Sequence, residues 1–261
     1  MPHFIEIDGR ALHCEFRPGA AGRTPVVFSN SLGTDLRIWD GVVALLPAQT
    51  PILRLDKRGH GLSAMGPVTI AALAEDMAAA MAHFGLTAAC ACGVSVGGLI
   101  VQALAASRPD LVATAVLSNT GLKIGNDAMW NERIEIARTR GLEAMADAII
   151  TRWFSPGYVA GQATDLAGYR AMLTRTPAEG YARVSEAIRD ADLTADAGKL
   201  HQRTVCIAGE TDASTPVAMV TALSEALPDA ALTVVPAVGH LPCIETPKIV
   251  FDAIASLGAL D

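Results

Sequence analysis

The sequence has no run of basic residues. Lysine and arginine total 20 against 27 aspartates and glutamates, giving a net charge of −7. Nucleic acid and anionic membrane surfaces are therefore not expected as partners. No apolar stretch reaches the roughly 18 uninterrupted residues of a membrane span. The beginning, Met1-Pro2-His3-Phe4-Ile5-Glu6, lacks the basic and then apolar pattern of a secretory signal. Cysteine is sparse, with Cys14, Cys90, Cys92, Cys206 and Cys243 making an odd and scattered set. Such a set does not read as a disulfide framework, and Cys90 and Cys92 form only C-x-C without a second ligand pair. The expectation is reduced core thiols in a cytoplasmic protein, with no metal. There is no internal repeat and no low-complexity tract.

What is present is apolar and alternating. Hydrophobic residues make up 51% of 261 positions and charged residues 18%, enough for one large α/β domain with room for an insertion. Residues 3–8 and 11–16 alternate apolar and polar around Asp8-Gly9, the signature of a hairpin. Short apolar runs at 25–28, 51–55, 87–94 and 111–117 read as buried parallel strands. Between them lie helix-like stretches at 36–46, at 69–84 with Thr69 as cap and Gly85 as stop, and at 96–107. From about 123 to 190 no strand pattern appears. Helical periodicity marks 126–140, 142–154, 165–175 and 179–191, a stretch read as a helical cap over the strand ends. Strands resume at 204–208 and 231–235. A helix starting at Thr215 with Pro216 at its first position lies between them, and another follows at 245–257. This pattern predicts a mostly parallel, right-handed doubly wound sheet. Its core comprises residues 1–122 and 192–261, interrupted by a cap at 123–191.

Chemistry concentrates at predicted strand ends. Cys92-Gly93-Val94-Ser95-Val96-Gly97-Gly98 contains G-x-S-x-G between a strand and a helix. In that setting the turn is tight, glycine relieves the crowding, and the Ser95 hydroxyl projects toward a helix N-terminus that favours negative charge. Serine is a weak nucleophile and needs a neutral imidazole held by a carboxylate. Asp212 and His240, in the loops after the last two strands, follow Ser95 in the order such folds use. Glu210 is the alternative carboxylate. A backbone role for His60, in the loop Asp56-Lys57-Arg58-Gly59-His60-Gly61-Leu62-Ser63, is preferred over a role as base. An oxyanion formed at Ser95 calls for two amide donors: Val96, after the nucleophile, and Leu32, in the loop after the first parallel strand.

Taken together, Ser95, Asp212 and His240 resemble the catalytic residues of the α/β-hydrolase superfamily over essentially the whole chain. Two stretches narrow the likeness. Ser29-Asn30-Ser31-Leu32-Gly33-Thr34-Asp35-Leu36-Arg37-Ile38-Trp39 stands where most members carry His-Gly, and Leu117 to Gly125 followed by Met129-Trp130-Asn131-Glu132-Arg133-Ile134 opens the cap. Both resemble the 3-oxoadipate enol-lactonases of bacterial aromatic breakdown by the β-ketoadipate route. Val96 is a departure, at a position where Met or Leu is usual, but only its amide is needed. The resemblance implies an α/β-hydrolase fold and serine-based opening of a small anionic lactone, with no cofactor. For the substrate carboxylate it directs attention to Arg133, one turn after Trp130, with Trp153 on the apolar side. A general carboxylesterase, a carbon–carbon bond hydrolase and a cofactor-free haloperoxidase share the triad and remain open at this point. So does a poorly catalytic ligand-binding relative.

Overall fold

The computed structural model describes residues 2–260. Its centre is an eight-stranded sheet in the order β1-β2-β4-β3-β5-β6-β7-β8. β1 (Pro2–Ile7) and β2 (Arg10–Arg17) form the expected antiparallel hairpin. Asp8 and Gly9 both take positive φ (50° and 71°), as a two-residue turn between twisted strands requires. β2 also pairs antiparallel with β4 (Ile52–Leu55). From there the sheet is parallel through β3 (Val26–Ser29), β5 (Ala89–Val94), β6 (Val112–Ser118), β7 (Arg203–Gly209) and β8 (Ala230–Val235).

β3, β4 and β5 are buried along their whole length. That burial explains why they read as continuous apolar runs rather than alternating ones. The connecting helices are α1 (Asp40–Leu45), α2 (Ile70–His83) and α3 (Val96–Ser107). Thr69 caps α2 by accepting from the Ala72 amide. All five cysteines are free and buried.

Between β6 and β7 the chain is helical, with no strand among these residues. It forms α4 (Asp127–Arg140), α5 (Ala146–Trp153), α6 (Pro156–Gly161), α7 (Ala163–Thr174) and α8 (Ala178–Asp190). α6 was not expected. It has no buried side chain and so no periodicity to read; Ser155, accepting from the Tyr158 amide, and Pro156 start it. The helical stretch is bonded to the sheet's edge loops. The Trp153 carbonyl accepts from the His240 amide (2.9 Å), and the Glu245 carboxylate accepts from the Ser155 amide, the Ser155 hydroxyl and the Gly239 amide.

The chain closes with α9 (Val217–Ala226), α10 (Pro242–Glu245) and α11 (Pro247–Ser256). Three expected helices change in detail. The stretch 36–46 begins as a 3₁₀ turn, Leu36–Trp39, before α1. The final helix is divided by Thr246-Pro247, because a proline has no N–H to continue the ladder. α9 starts at Val217 rather than Thr215, since the Thr215 hydroxyl is engaged elsewhere. No helix among the described residues is long and apolar enough to cross a membrane.

Candidate active site

Ser95 sits between β5 and α3 with φ 58° and ψ −122°. That backbone conformation costs a non-glycine residue about 1–3 kcal/mol and persists only where its surroundings fix it. They do so here. The Ser95 amide donates to Ser118 O (3.0 Å), and its carbonyl accepts from Thr120 Oγ1 (2.8 Å) and the Gly98 amide (2.9 Å). A Cβ on Gly93 would strike the Gly97 carbonyl, and one on Gly97 the Ser29 carbonyl. Those two glycines let the turn close against β3, and Ser95 is left slightly exposed in a cavity.

Asp212 and His240 come from the loops after β7 and β8 and meet. His240 Nδ1 donates to Asp212 Oδ2 at 2.7 Å. The same oxygen accepts from Thr215 Oγ1 (2.5 Å) and Asn119 Nδ2 (2.8 Å), while Oδ1 accepts from the Ser214 and Thr215 amides at 2.7 and 3.1 Å. Burial pushes the carboxyl up. The neighbouring His240 charge and the hydrogen bonds from His240, Thr215 and Asn119 outweigh that and hold its pKa at about 2. An ionised Asp212 accepts only, so Nδ1 of His240 carries the proton between them and Nε2 is the nitrogen left to face the cavity. No hydrogen bond joins Ser95 Oγ to His240, although both line one cavity. Such contacts commonly tighten only with substrate bound. Glu210 is directed elsewhere, accepting from the Ala237 amide.

Residues 30–35, after β3, pass beside Ser95, with Ser31 and Leu32 on the wall of the same cavity. The amides of Leu32 and Val96 make no hydrogen bond to another group among the described residues. The loop after β4 supports this stretch from behind. Lys57 Nζ donates to Ser31 O (2.7 Å) and Thr34 O (3.3 Å), the Gly33 amide donates to His60 Nε2 (3.0 Å), and Asp56 Oδ1 accepts from the Leu36 amide (2.8 Å). His60 is fully buried and occupied with backbone, as the sequence suggested. Burial, helped by the Lys57 charge, drives its pKa well below the ordinary value. Burial also pulls Lys57 down to about 7, against the opposing carboxylates of Asp56 and Asp35.

The helices after β6 supply the other wall of the cavity. Trp130, Arg133 and Trp153 all line it, together with Arg152 and Tyr181. The Arg133 guanidinium stacks over the Trp130 ring, 5.2 Å from its centroid, and Trp130 Nε1 is held by Ile124 O (2.7 Å). Both arginines act on Tyr181. Burial raises its hydroxyl pKa, and the charges of Arg133 and Arg152 oppose the rise. Neither guanidinium forms an ion pair among the described residues, whereas Arg138 and Arg170 of the same helical stretch are paired with carboxylates. Beyond the arginines the cavity meets an outer one of about 210 Å³ that shares Met129, Arg133, Ile149 and Arg152. A larger crevice of about 560 Å³, between α2, the end of α3 and residues 187–199, contains no histidine or cysteine. No cluster suited to a metal ion occurs among the described residues.

Of the eight site residues singled out from sequence, Leu32, Ser95, Trp130, Arg133, Trp153 and His240 line this cavity, while Asp212 reaches it through His240 and Val96 follows Ser95 in the chain. Asn119, Arg152, Tyr181 and Lys57 were missed. Asn119 had a partial signal in its place at the end of β6, but its reach to Asp212 depends on a positive φ of 47°.

A strained serine at a strand–helix turn, with a carboxylate-held imidazole from the last two strand ends, on a mostly parallel sheet, defines a hydrolase class. The chain belongs to the alpha/beta hydrolase family, whose model matches residues 26–253. Its relatives include hydrolases. It is 33% identical over 241 residues to 3-oxoadipate enol-lactonase 2 of Acinetobacter baylyi, covering 92% of this chain and 90% of that one. It is 32% identical to 3-oxoadipate enol-lactonase 1 of the same organism, over 76% of this chain and 75% of that one. The solved enol-lactonase of Burkholderia xenovorans LB400 superposes with a TM-score of 0.93 at 34% identity, covering 98% of this chain and 99% of that one.

Proposed function

We propose that this chain hydrolyses 3-oxoadipate enol-lactone to 3-oxoadipate through an acyl-enzyme, with helices 123–191 serving as the cap over the site. Ser95 Oγ attacks the lactone carbonyl while His240 Nε2 takes its proton, and Asp212 holds the imidazole in the required tautomer. The tetrahedral oxyanion rests on the Leu32 and Val96 amides, each such donor contributing about 3 kcal/mol to the transition state. Breaking the ring C–O bond expels an enolate oxygen. It takes the proton from His240 and tautomerises to the ketone. An enolate leaves far more readily than an alkoxide, so little protonation is asked of the histidine. Water, deprotonated by His240, then attacks the acyl-enzyme, releasing 3-oxoadipate and restoring Ser95.

The substrate's free carboxylate needs a local positive charge in an acidic protein. The observation that carries the reading is that Ser95 and the Asp212-held His240 share their cavity with two guanidinium groups that have no carboxylate partner. Arg133 on Trp130 receives the carboxylate, and Trp153 covers the apolar ring edge. The likeness to enol-lactonases supports the same substrate. It also supports a place in the cytoplasmic β-ketoadipate route of aromatic catabolism.

The test is the loss of enol-lactone absorbance on adding purified protein, with Ser95→Ala as control. Fast loss that disappears in the variant is expected. No loss above the spontaneous rate, with p-nitrophenyl acetate still cleaved, would leave a serine esterase and discard the substrate.

A further inference from the structure

Lys57 is a buried lysine that no step of the proposed reaction uses. Its ammonium donates to Ser31 O at 2.7 Å and Thr34 O at 3.3 Å. The first acceptor matters chemically. The Ser31 carbonyl and the Leu32 N–H belong to one peptide group, and in a trans peptide they point in opposite directions. One end of that peptide therefore receives an N–H donor from the Lys57 amine, while the other carries the amide placed to meet the oxyanion. A donor on the carbonyl draws electrons from the peptide nitrogen and makes its N–H a stronger donor, the cooperativity of chained hydrogen bonds. In a buried setting the effect is larger than in water, and the orientation is fixed before the reaction starts.

We propose that Lys57 is a positioning residue for the oxyanion hole, polarising and aiming the Leu32 amide through the Ser31–Leu32 peptide. The inference rests on Leu32 serving as an oxyanion donor to Ser95 but not on the identity of the ester cleaved. Its neighbours divide the remaining work. His60 fixes the Gly33 amide and Asp56 fixes the Leu36 amide, so the loop keeps most of its shape when Lys57 alone is changed.

Lys57→Met keeps length and apolar bulk but removes charge and donor; Lys57→Gln keeps a neutral donor. Each is assayed on the enol-lactone and on p-nitrophenyl acetate, with active protein counted by titrating Ser95 with a fluorophosphonate. Removing a whole oxyanion donor costs roughly 10²–10³ in kcat, so weakening one is expected to lower kcat about tenfold in Lys57→Met. Lys57→Gln should lie between that and wild type, with KM within threefold throughout. Phenylboronic acid, which forms a tetrahedral adduct on the serine, should lose affinity by the same factor as kcat, while inhibition by adipate stays constant.

Equal kcat in all three proteins per titrated serine would overturn the proposal. So would losses that appear in KM and adipate affinity instead, which mark a merely structural role. If Lys57→Met does not fold, Lys57→Gln decides on the same criteria. If the lactone is not a substrate, the effect on p-nitrophenyl acetate and the boronate still decides, so failure of the lactonase reading stays separate.

Discussion

Asn119 gives the sharpest test of how the site is held. It is fully buried, and its single NH₂ group spans Asp212 Oδ2 (2.8 Å) and Gly239 O (3.2 Å), the residue before His240. One side chain therefore clamps the acid and the loop of the base together. Asn119→Ala removes a hydrogen bond to a charged group, about 1.5–3 kcal/mol. It also places alanine at φ 47°, where asparagine is tolerated better, adding ~1 kcal/mol. The expected stability loss of about 2.5–4 kcal/mol corresponds to ~8 °C in Tm for a chain of this size. Four of the five donors to Asp212 remain. The expected fall in kcat is accordingly about tenfold, ~1.4 kcal/mol of barrier, rather than the ~10⁴ of an abolished carboxylate. The assay is thermal unfolding together with steady-state kinetics, with Asn119→Gly beside Asn119→Ala. Glycine accepts positive φ without strain, so both variants should lose the same activity if the lost donor is the cause. A folded Asn119→Ala with kcat within twofold of wild type would refute the clamp. Activity restored in Asn119→Gly would assign the loss to backbone strain.

Other consequences follow from the same geometry. The Asp212 pKa is depressed to about 2, so its contribution to stability, about 2 kcal/mol, is complete above the unfolded carboxylate value near 4. It is lost as pH falls through 2. Tm measured from pH 6 to pH 2 should fall less steeply in Asp212→Asn than in wild type, and parallel curves would contradict the assignment. Arg133→Ala should raise KM for the enol-lactone about tenfold while leaving p-nitrophenyl acetate unaffected, as expected for loss of a carboxylate partner worth ~1.5 kcal/mol. Unchanged lactone kinetics would remove Arg133 from the site, and Arg152→Ala, measured in parallel, shows whether the second guanidinium shares the load. Gly97→Ala places a methyl group against the Ser29 carbonyl, so circular dichroism should report a destabilised or unfolded protein. A normally stable variant would show that the turn is less tightly packed than described.

The chain's own pattern determined the sheet, the elbow and the candidate triad. The apolar runs that became β3, β5 and β7, the Asp8-Gly9 turn and the Gly93-x-Ser95-x-Gly97 spacing are local features, and local sterics and burial decide them. The order Ser95, Asp212, His240 was legible because a parallel sheet sends successive loops to one edge. Even His60 could be assigned to backbone support from its loop alone. Other features depended on chain segments far apart in sequence. α6 buries nothing and so left no periodicity, and the Thr215 hydroxyl was drawn from capping α9 to Asp212. Asn119 meets Asp212 across 93 positions, and Lys57 meets Ser31 across 26. Arg152 looks like any exposed helix arginine until the fold sets it with Arg133 on the wall of the cavity that holds Ser95. Patterns of burial and backbone strain are written along the chain. Which polar group faces which is set by where distant loops converge, and only the tertiary structure decided that.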